Sequence, residues 1–209
     1  MAEINKSIVI SKESEDIIKS VKSKPGFTFK LWSDEELLKV RREIRKFYRK
    51  QQKGKCAYCQ NPVTLSASGC HVEHIVAKSL HEEFMFTPKN LCVICPDCNE
   101  IKREQEVMAN IESTLKNDSP KTYPRSSAAF ITYHPHFDNY NDHIINIDGY
   151  YLDKSEKGAN TIRMCVLNRK LREFGYDDSA IAIPGHLDFM IRIFYSGKID
   201  EIKKLIGMN

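Results

Sequence analysis

Apolar positions along this chain recur first at helical intervals and then, over a short central stretch, in the manner of a strand. Residues 13–23 have the pattern of a short helix, which Lys24-Pro25-Gly26 should stop because the residue before a proline is pushed out of the α region. That arm reads as an accessory. Ser33 stands three residues ahead of Glu36, a capping-box spacing, and Leu37, Leu38, Val40, Ile44, Phe47 and Tyr48 follow at roughly helical intervals. One long helix to about Gln52 is predicted, with basic residues on its outer faces. From Lys55 to Lys102 the pattern changes to cysteine pairs, a β-segment around "GCHVEHIVA" and the loop "TPKNLCVICPDCNEIK". "NEIKREQEVMANIESTLKND" then reads as a helix and "SPKTYPRSS" as a linker of turn-formers. Beyond it lie a hairpin, "HIINIDGYYLD", turning at Asp148-Gly149, and helical patterns at 159–174, 185–195 and 198–206. The division expected is an arm over 1–32, a core with its basic leading helix over 33–118, and a hairpin with a helical lobe over 119–209.

At 209 residues with 41% apolar content, the chain suits one or two soluble globular domains. Its start lacks a signal-peptide h-region, and no run approaches eighteen apolar residues, so the expected place is the cytoplasm, with no membrane contact. Seven cysteines in such a chain make a poor disulfide framework, and the count is odd. Metal ligation is the better reading. The net charge of +4 is mild but uneven: residues 39–55 carry nine Lys or Arg against one Glu. A local basic face of this kind can hold phosphate.

Cys56 with Cys59, and Cys95 with Cys98, are two CxxC pairs separated by thirty-five residues. Each turn converges two thiolates, and two turns complete a tetrahedral shell that suits structural Zn²⁺. Cys92 makes an overlapping CxxC with Cys95, so spacing alone leaves the second pair open. Pro96 and Asp97 supply turn chemistry and Cys98 sits where a helix begins, which favours Cys95 with Cys98. Cys70, Cys92 and Cys165 read as small buried apolar residues.

Between the pairs, "CHVEHIVAKSLHEEF" places three histidines and three glutamates in fifteen residues. On a strand Cys70, Val72 and His74 would face one way and His71, Glu73 and Ile75 the other. His74 then has apolar neighbours, and by itself it reads as a core histidine. The wider pattern changes this. "CAYC", "EHI", "NL" and "CPDCN" follow in order, and residues 56 to about 105 resemble the HNH, or ββα-metal, endonucleases. The resemblance also supports Cys95 with Cys98 as the second pair. It implies an α+β fold, a ββα-metal core stapled by a four-Cys zinc site with helical flanks, acting as a metal-dependent endonuclease on DNA. Glu73 and Asn99 would hold a catalytic divalent ion, His74 would be the general base, and Asn90 would hold the loop that orients His74. Asn99 replaces the histidine many members carry there, and Glu73 replaces an aspartate.

Those roles suit the chemistry. An imidazole of ordinary pKa near 6.5 accepts a proton from water at neutral pH, and Mg²⁺ or Mn²⁺ on oxygen ligands offsets charge on the phosphate. His71 reads as a support for the metal-site residues, a phosphate contact or a surface residue, and His81, Glu82 and Glu83 as a solvated helix turn. Arg41, Arg42, Arg45, Lys46, Arg49 and Lys50 are candidate DNA-backbone contacts, with Lys78 and Lys102 as further phosphate contacts or plain surface lysines. "YHPHFDNYNDHI" offers His134, His136, Asp138, Asp142 and His143 as a second metal site, against the preferred reading of a structural loop. The tail loosely resembles the extension of HNH proteins in bacterial anti-phage cassettes, including the Septu type, which implies an ATPase partner. The rival reading is a non-catalytic zinc module that binds nucleic acid or protein. RNA as substrate would keep the same chemistry.

Overall fold

The computed structural model describes residues 4–103, 113–117, 119–147 and 149–174. Met1–Asn168 form one compact unit and Arg169–Asn209 a second, of which the helix α6 (Arg169–Phe174) is the described part.

The first unit begins with an extended segment and the helix α1 (Lys12–Lys22). Ser11 caps it, accepting from Ser14 N, and Glu43 receives Ser11 N and Ser11 Oγ at 2.8 Å each together with the Ser14 hydroxyl. A carboxylate from the next helix thus sits at the N-terminus of α1, where the helix dipole favours negative charge. The N-terminal arm is not an accessory in packing. Ile4, Ile8, Ile18, Val21 and Trp32 are buried in the main core.

The capping box expected at Ser33 does not form. Asp34 is the cap, accepting from Glu36 N at 3.0 Å, while Glu36 pairs with Lys24. A 3₁₀ turn at Glu35–Leu37 leads into α2 (Leu38–Gln51). Leu37, Val40, Ile44 and Tyr48 are wholly buried, at spacings of three, four and four. Burying Leu37, Val40 or Ile44 stabilises the fold by on the order of 1.5–3 kcal/mol each. Leu38 lies one residue off this stripe and is 38% exposed.

The centre is a β-hairpin of β1 (His71–His74) and β2 (Leu91–Ile94), antiparallel, with Glu73 opposite Cys92 and His74 opposite Leu91. The helix α3 (Pro96–Lys102) follows. Helix α2 packs on both strands and α3 on β1, so the hairpin has neighbours on both sides. The expected in-out alternation therefore fails at its end: Glu73, His74, Ile75 and Val76 are all buried.

Helix α3 is far shorter than predicted. It ends at Lys102, with Arg103 at φ +31°, and residues 104–112 lie outside the described ones. Residues 113–117 are not helical; Leu115 bridges Phe130 and joins Val76, Phe84 and Phe130 in a small second core.

The predicted hairpin is present as β3 (Ile144–Ile147) and β4 (Tyr150–Asp153), after the single turn α4 (Tyr140–His143), with Gly149 at φ +91°. The helix expected over 159–174 is two, α5 (Glu156–Met164) and α6, interrupted where Val166 takes φ +43°. Gly158 on α5 is required by close approach, since a Cβ there would lie 1.8 Å from the His143 carbonyl oxygen. The helical patterns at 185–195 and 198–206 fall outside the described residues. Among the described residues no helix is long and apolar enough to cross a membrane.

Candidate active site and metal centre

Four thiols converge at the base of the ββα unit. The sulfurs of Cys56, Cys59, Cys95 and Cys98 lie within 4.8 Å of one another, and Cys59 Sγ is 3.6 Å from Cys95 Sγ. A tetrahedral shell with Zn–S near 2.3 Å places sulfurs roughly 3.8 Å apart, so the cluster has the dimensions and soft donors of structural zinc. Cys92 is not part of it. Burial pushes the Cys56 thiol well up, whereas hydrogen bonds from Cys56, Cys59 and Cys98 hold Cys95 low: four neighbouring thiols cannot all ionise without a cation.

Each turn has a local cause. Gly54 at φ +71° reverses the chain after α2, and Gln52, fully buried, donates to the carbonyls of Lys55 and Val93 and accepts from Val93 N at 2.8 Å. This fastens the first cysteine turn to β2, where Ala57 N also meets the Val93 carbonyl. Cys95 is the N-cap of α3, with Pro96 in its first turn, so the second turn is a helix start. Two tyrosines from the tail complete the enclosure: Tyr140 donates to the Tyr58 carbonyl at 2.9 Å and Tyr151 to the Cys59 carbonyl at 2.6 Å. Cys165 is buried as expected, but it also hydrogen-bonds Cys98.

Against this base a cleft of about 350 Å³ opens, lined by Val72, Glu73, His74, Ala77, Lys78, Asn99, Lys102 and Arg103. It brings Glu73, His74 and Asn99 together. His74 is 4% exposed, and its ring meets Trp32 edge-on at 4.4 Å between centroids. Its Nε2 is 3.0 Å from the Met85 carbonyl. A carbonyl only accepts, so Nε2 carries the proton and Nδ1 the lone pair. Burial, with Lys78 and Lys102 nearby, lowers the His74 pKa to about 3.

Asn90 stands outside the cleft and organises its wall. Its Oδ1 accepts from Val76 N at 2.7 Å, and its Nδ2 donates to the carbonyls of Val76 and Phe84, both at 3.1 Å. One buried amide thereby closes the loop between β1 and β2.

Lys102 is 1% exposed, not a surface lysine; its Nζ lies 2.5 Å from Glu73 Oε1 and donates to the His74 carbonyl at 3.2 Å. His81 is also buried, stacked on Phe84 and bonded to Glu83, and the half-buried Glu82 accepts from Phe29 N at 2.6 Å, so of that turn Glu83 alone is exposed as expected. His71 is bonded to the Ser68 carbonyl on the outer loop.

The basic helix divides into two rows. Arg41 donates to the Trp32 and Asp34 carbonyls, Arg45 to that of Cys70 and Arg49 to that of Leu65. Arg42, Lys46 and Lys50, at four-residue spacing, form the exposed row. In the histidine-rich loop the rings have protein partners. His134 Nε2 meets Tyr123 Oη at 2.8 Å and its Nδ1 accepts from His136 N, while His136 Nε2 donates to the Leu91 carbonyl at 2.8 Å.

Sequence reasoning missed Trp32 and the Met85 carbonyl. The lone tryptophan ahead of the helix was a faint signal for the first, and a backbone group leaves none for the second.

The cysteine turns, the hairpin and α3 thus follow the order of a known nuclease core, over the same residues. Residues 56–105 match the family model of the HNH endonucleases. This HNH domain spans about a quarter of the chain, and it contains both the four-Cys cluster and the residues that line the cleft. Nuclease activity and a nucleic-acid substrate are what such a domain suggests. Among curated proteins, none matches the chain.

Proposed function

We propose that the protein is a metal-dependent HNH endonuclease that hydrolyses DNA phosphodiester bonds in the cleft between β1 and α3. The observation that carries this reading is the fixed tautomer of His74: a buried imidazole in a cleft wall, its Nε2 committed to the Met85 carbonyl, leaves Nδ1 to take a proton from water. Trp32 and the Met85 carbonyl hold the ring, and Asn90 holds the loop that contains Met85.

Glu73 and Asn99 offer a carboxylate and an amide oxygen on one cleft, a hard and under-filled donor set that fits Mg²⁺ or Mn²⁺ and leaves room for water. A divalent ion bound there would supply Lewis acidity to the phosphate and the departing oxygen. Glu73 orients through Lys102, and Asn99 sits in the second turn's helix, which the cysteine cluster anchors. Lys78 on the rim and the exposed row Arg42, Lys46 and Lys50 are the phosphate contacts this reading assigns; Arg41, Arg45 and Arg49 instead brace loops. The looser resemblance of the tail supports a place in a bacterial defence cassette beside an ATPase, in the cytoplasm.

The test is cleavage of end-labelled duplex DNA, single-stranded DNA and RNA of one sequence by the zinc-loaded protein in Mg²⁺, Mn²⁺ or EDTA. Duplex DNA is expected to be cut with either ion and not with EDTA. Faster cutting of RNA would reassign the substrate. Binding without cutting in every arm would favour the silent zinc module.

A further inference from the structure

Lys102 is the buried cation of the cleft, and the proposed reaction gives it no chemical task. Four residues after Cys98, it lies on the helix face that carries a cluster thiol, so its stem runs inward and not to solvent. Its side chain is 2% accessible and that of Glu73 11%. An ammonium held in this way reaches a substrate phosphate poorly. It reaches Glu73 well.

The carboxylate of Glu73 is divided by this contact. Oε1 is 2.5 Å from Lys102 Nζ, and among the described residues no hydrogen bond reaches Oε2. The same ammonium donates to the His74 carbonyl, so it is tied to the strand and does not swing freely. A cation that binds a carboxylate through both oxygens would have to share Oε1 with an ammonium and stand beside its charge. A cation that uses one oxygen takes Oε2, shares no donor with the ammonium and stands farther from its charge. Ca²⁺ takes six to eight oxygens and commonly binds carboxylates through two, whereas Mg²⁺ demands a tight octahedron and uses one carboxylate oxygen with several waters.

We infer that Lys102 is a positioning residue that makes Glu73 a one-oxygen ligand and thereby sets the cleft's preference for Mg²⁺ or Mn²⁺ over Ca²⁺. The inference rests on the reading of the cleft as a divalent-ion site. Asn99, with a single amide oxygen, adds one further ligand and does not restore the donor count that Ca²⁺ needs.

The experiment measures Mn²⁺ binding to the zinc-loaded full chain by electron paramagnetic resonance, then its displacement by Mg²⁺ and by Ca²⁺. No nucleic acid is present. In the wild type Mg²⁺ should displace Mn²⁺ at lower concentration than Ca²⁺ does, and equal displacement overturns the inference without any variant. In Lys102→Met and Lys102→Gln, both near the volume of lysine and checked for folding by thermal melts, the Ca²⁺ midpoint should fall relative to the Mg²⁺ midpoint by roughly tenfold. An unchanged ratio in a folded variant overturns it. Glu73→Gln separates this from the parent reading: lost Mn²⁺ binding upholds the cleft as the ion site, while Mn²⁺ retained in that variant, or absent from the wild type, removes the site and the inference together.

Discussion

His74 is a core side chain and a cleft side chain at once, and the two roles depend on each other. Burial, with the charges of Lys78 and Lys102 nearby, lowers its pKa to about 3 against the opposing pull of the Met85 carbonyl, so the ring stays neutral across the physiological range. The sign is definite. A general base works in its neutral form, and a depressed pKa keeps that form populated as pH falls through the usual histidine value. Cleavage measured from pH 8 down to about pH 5 should show no acid limb near 6.5. A half-maximal point near 6.5 would mean that the base titrates as an exposed imidazole. At this scale the sequence was informative where the residue type does the work: Glu73, His74 and Asn99 do share one cleft. Lys102 was misjudged because its surroundings come from β1, distant in sequence, although its spacing from Cys98 already placed it on the inward face.

Elements were legible in proportion to how far their own pattern decides them. The stripe of α2 and the β3–β4 hairpin stand close to where apolar spacing and the Asp148-Gly149 turn put them. The α3 boundary was not legible, because Arg103 at a positive φ and the capture of Leu115 by Phe130 are tertiary facts. The alternation on β1 failed for a related reason, since neighbours on both sides of the hairpin remove the contrast that alternation records. The loop from 75 to 90 is the element most dependent on a single residue. Asn90→Ala deletes three buried hydrogen bonds and leaves the Val76 amide and carbonyl unpaired, while the Phe84 carbonyl keeps Thr87 N. A loss of about 2–4 kcal/mol is expected in urea denaturation, with cleavage falling as the Met85 carbonyl loses its place. A change below about 0.5 kcal/mol would show that the loop holds itself.

For the molecule as a whole, the tail is where sequence reasoning reached least, because its contacts are made across the chain. Tyr140 and Tyr151 hold the first cysteine turn, and His136 ties the tail to Leu91, the strand partner of His74. Burial lowers the His136 pKa to about 4 from an ordinary 6.5. The unfolded chain therefore binds the extra proton first: stability is full above about pH 6.5 and is lost as pH falls toward 4, by roughly 3 kcal/mol at the limit. His136→Gln keeps a side-chain donor for the Leu91 carbonyl without a titrating ring. Its melting temperature should fall less steeply between pH 7 and 4 than that of the wild type; equal slopes would remove His136 from the account.

The central claim is that the cleft beside the four-Cys cluster cuts nucleic acid through His74. The most direct test is incubation of supercoiled plasmid with the zinc-loaded wild type and with His74→Ala, each in Mg²⁺, Mn²⁺ and EDTA. The account predicts nicked or linear product from the wild type with either ion, none in EDTA, and a rate lower by about 10²–10⁴ in the variant with DNA binding retained. Equal cutting by His74→Ala would contradict it.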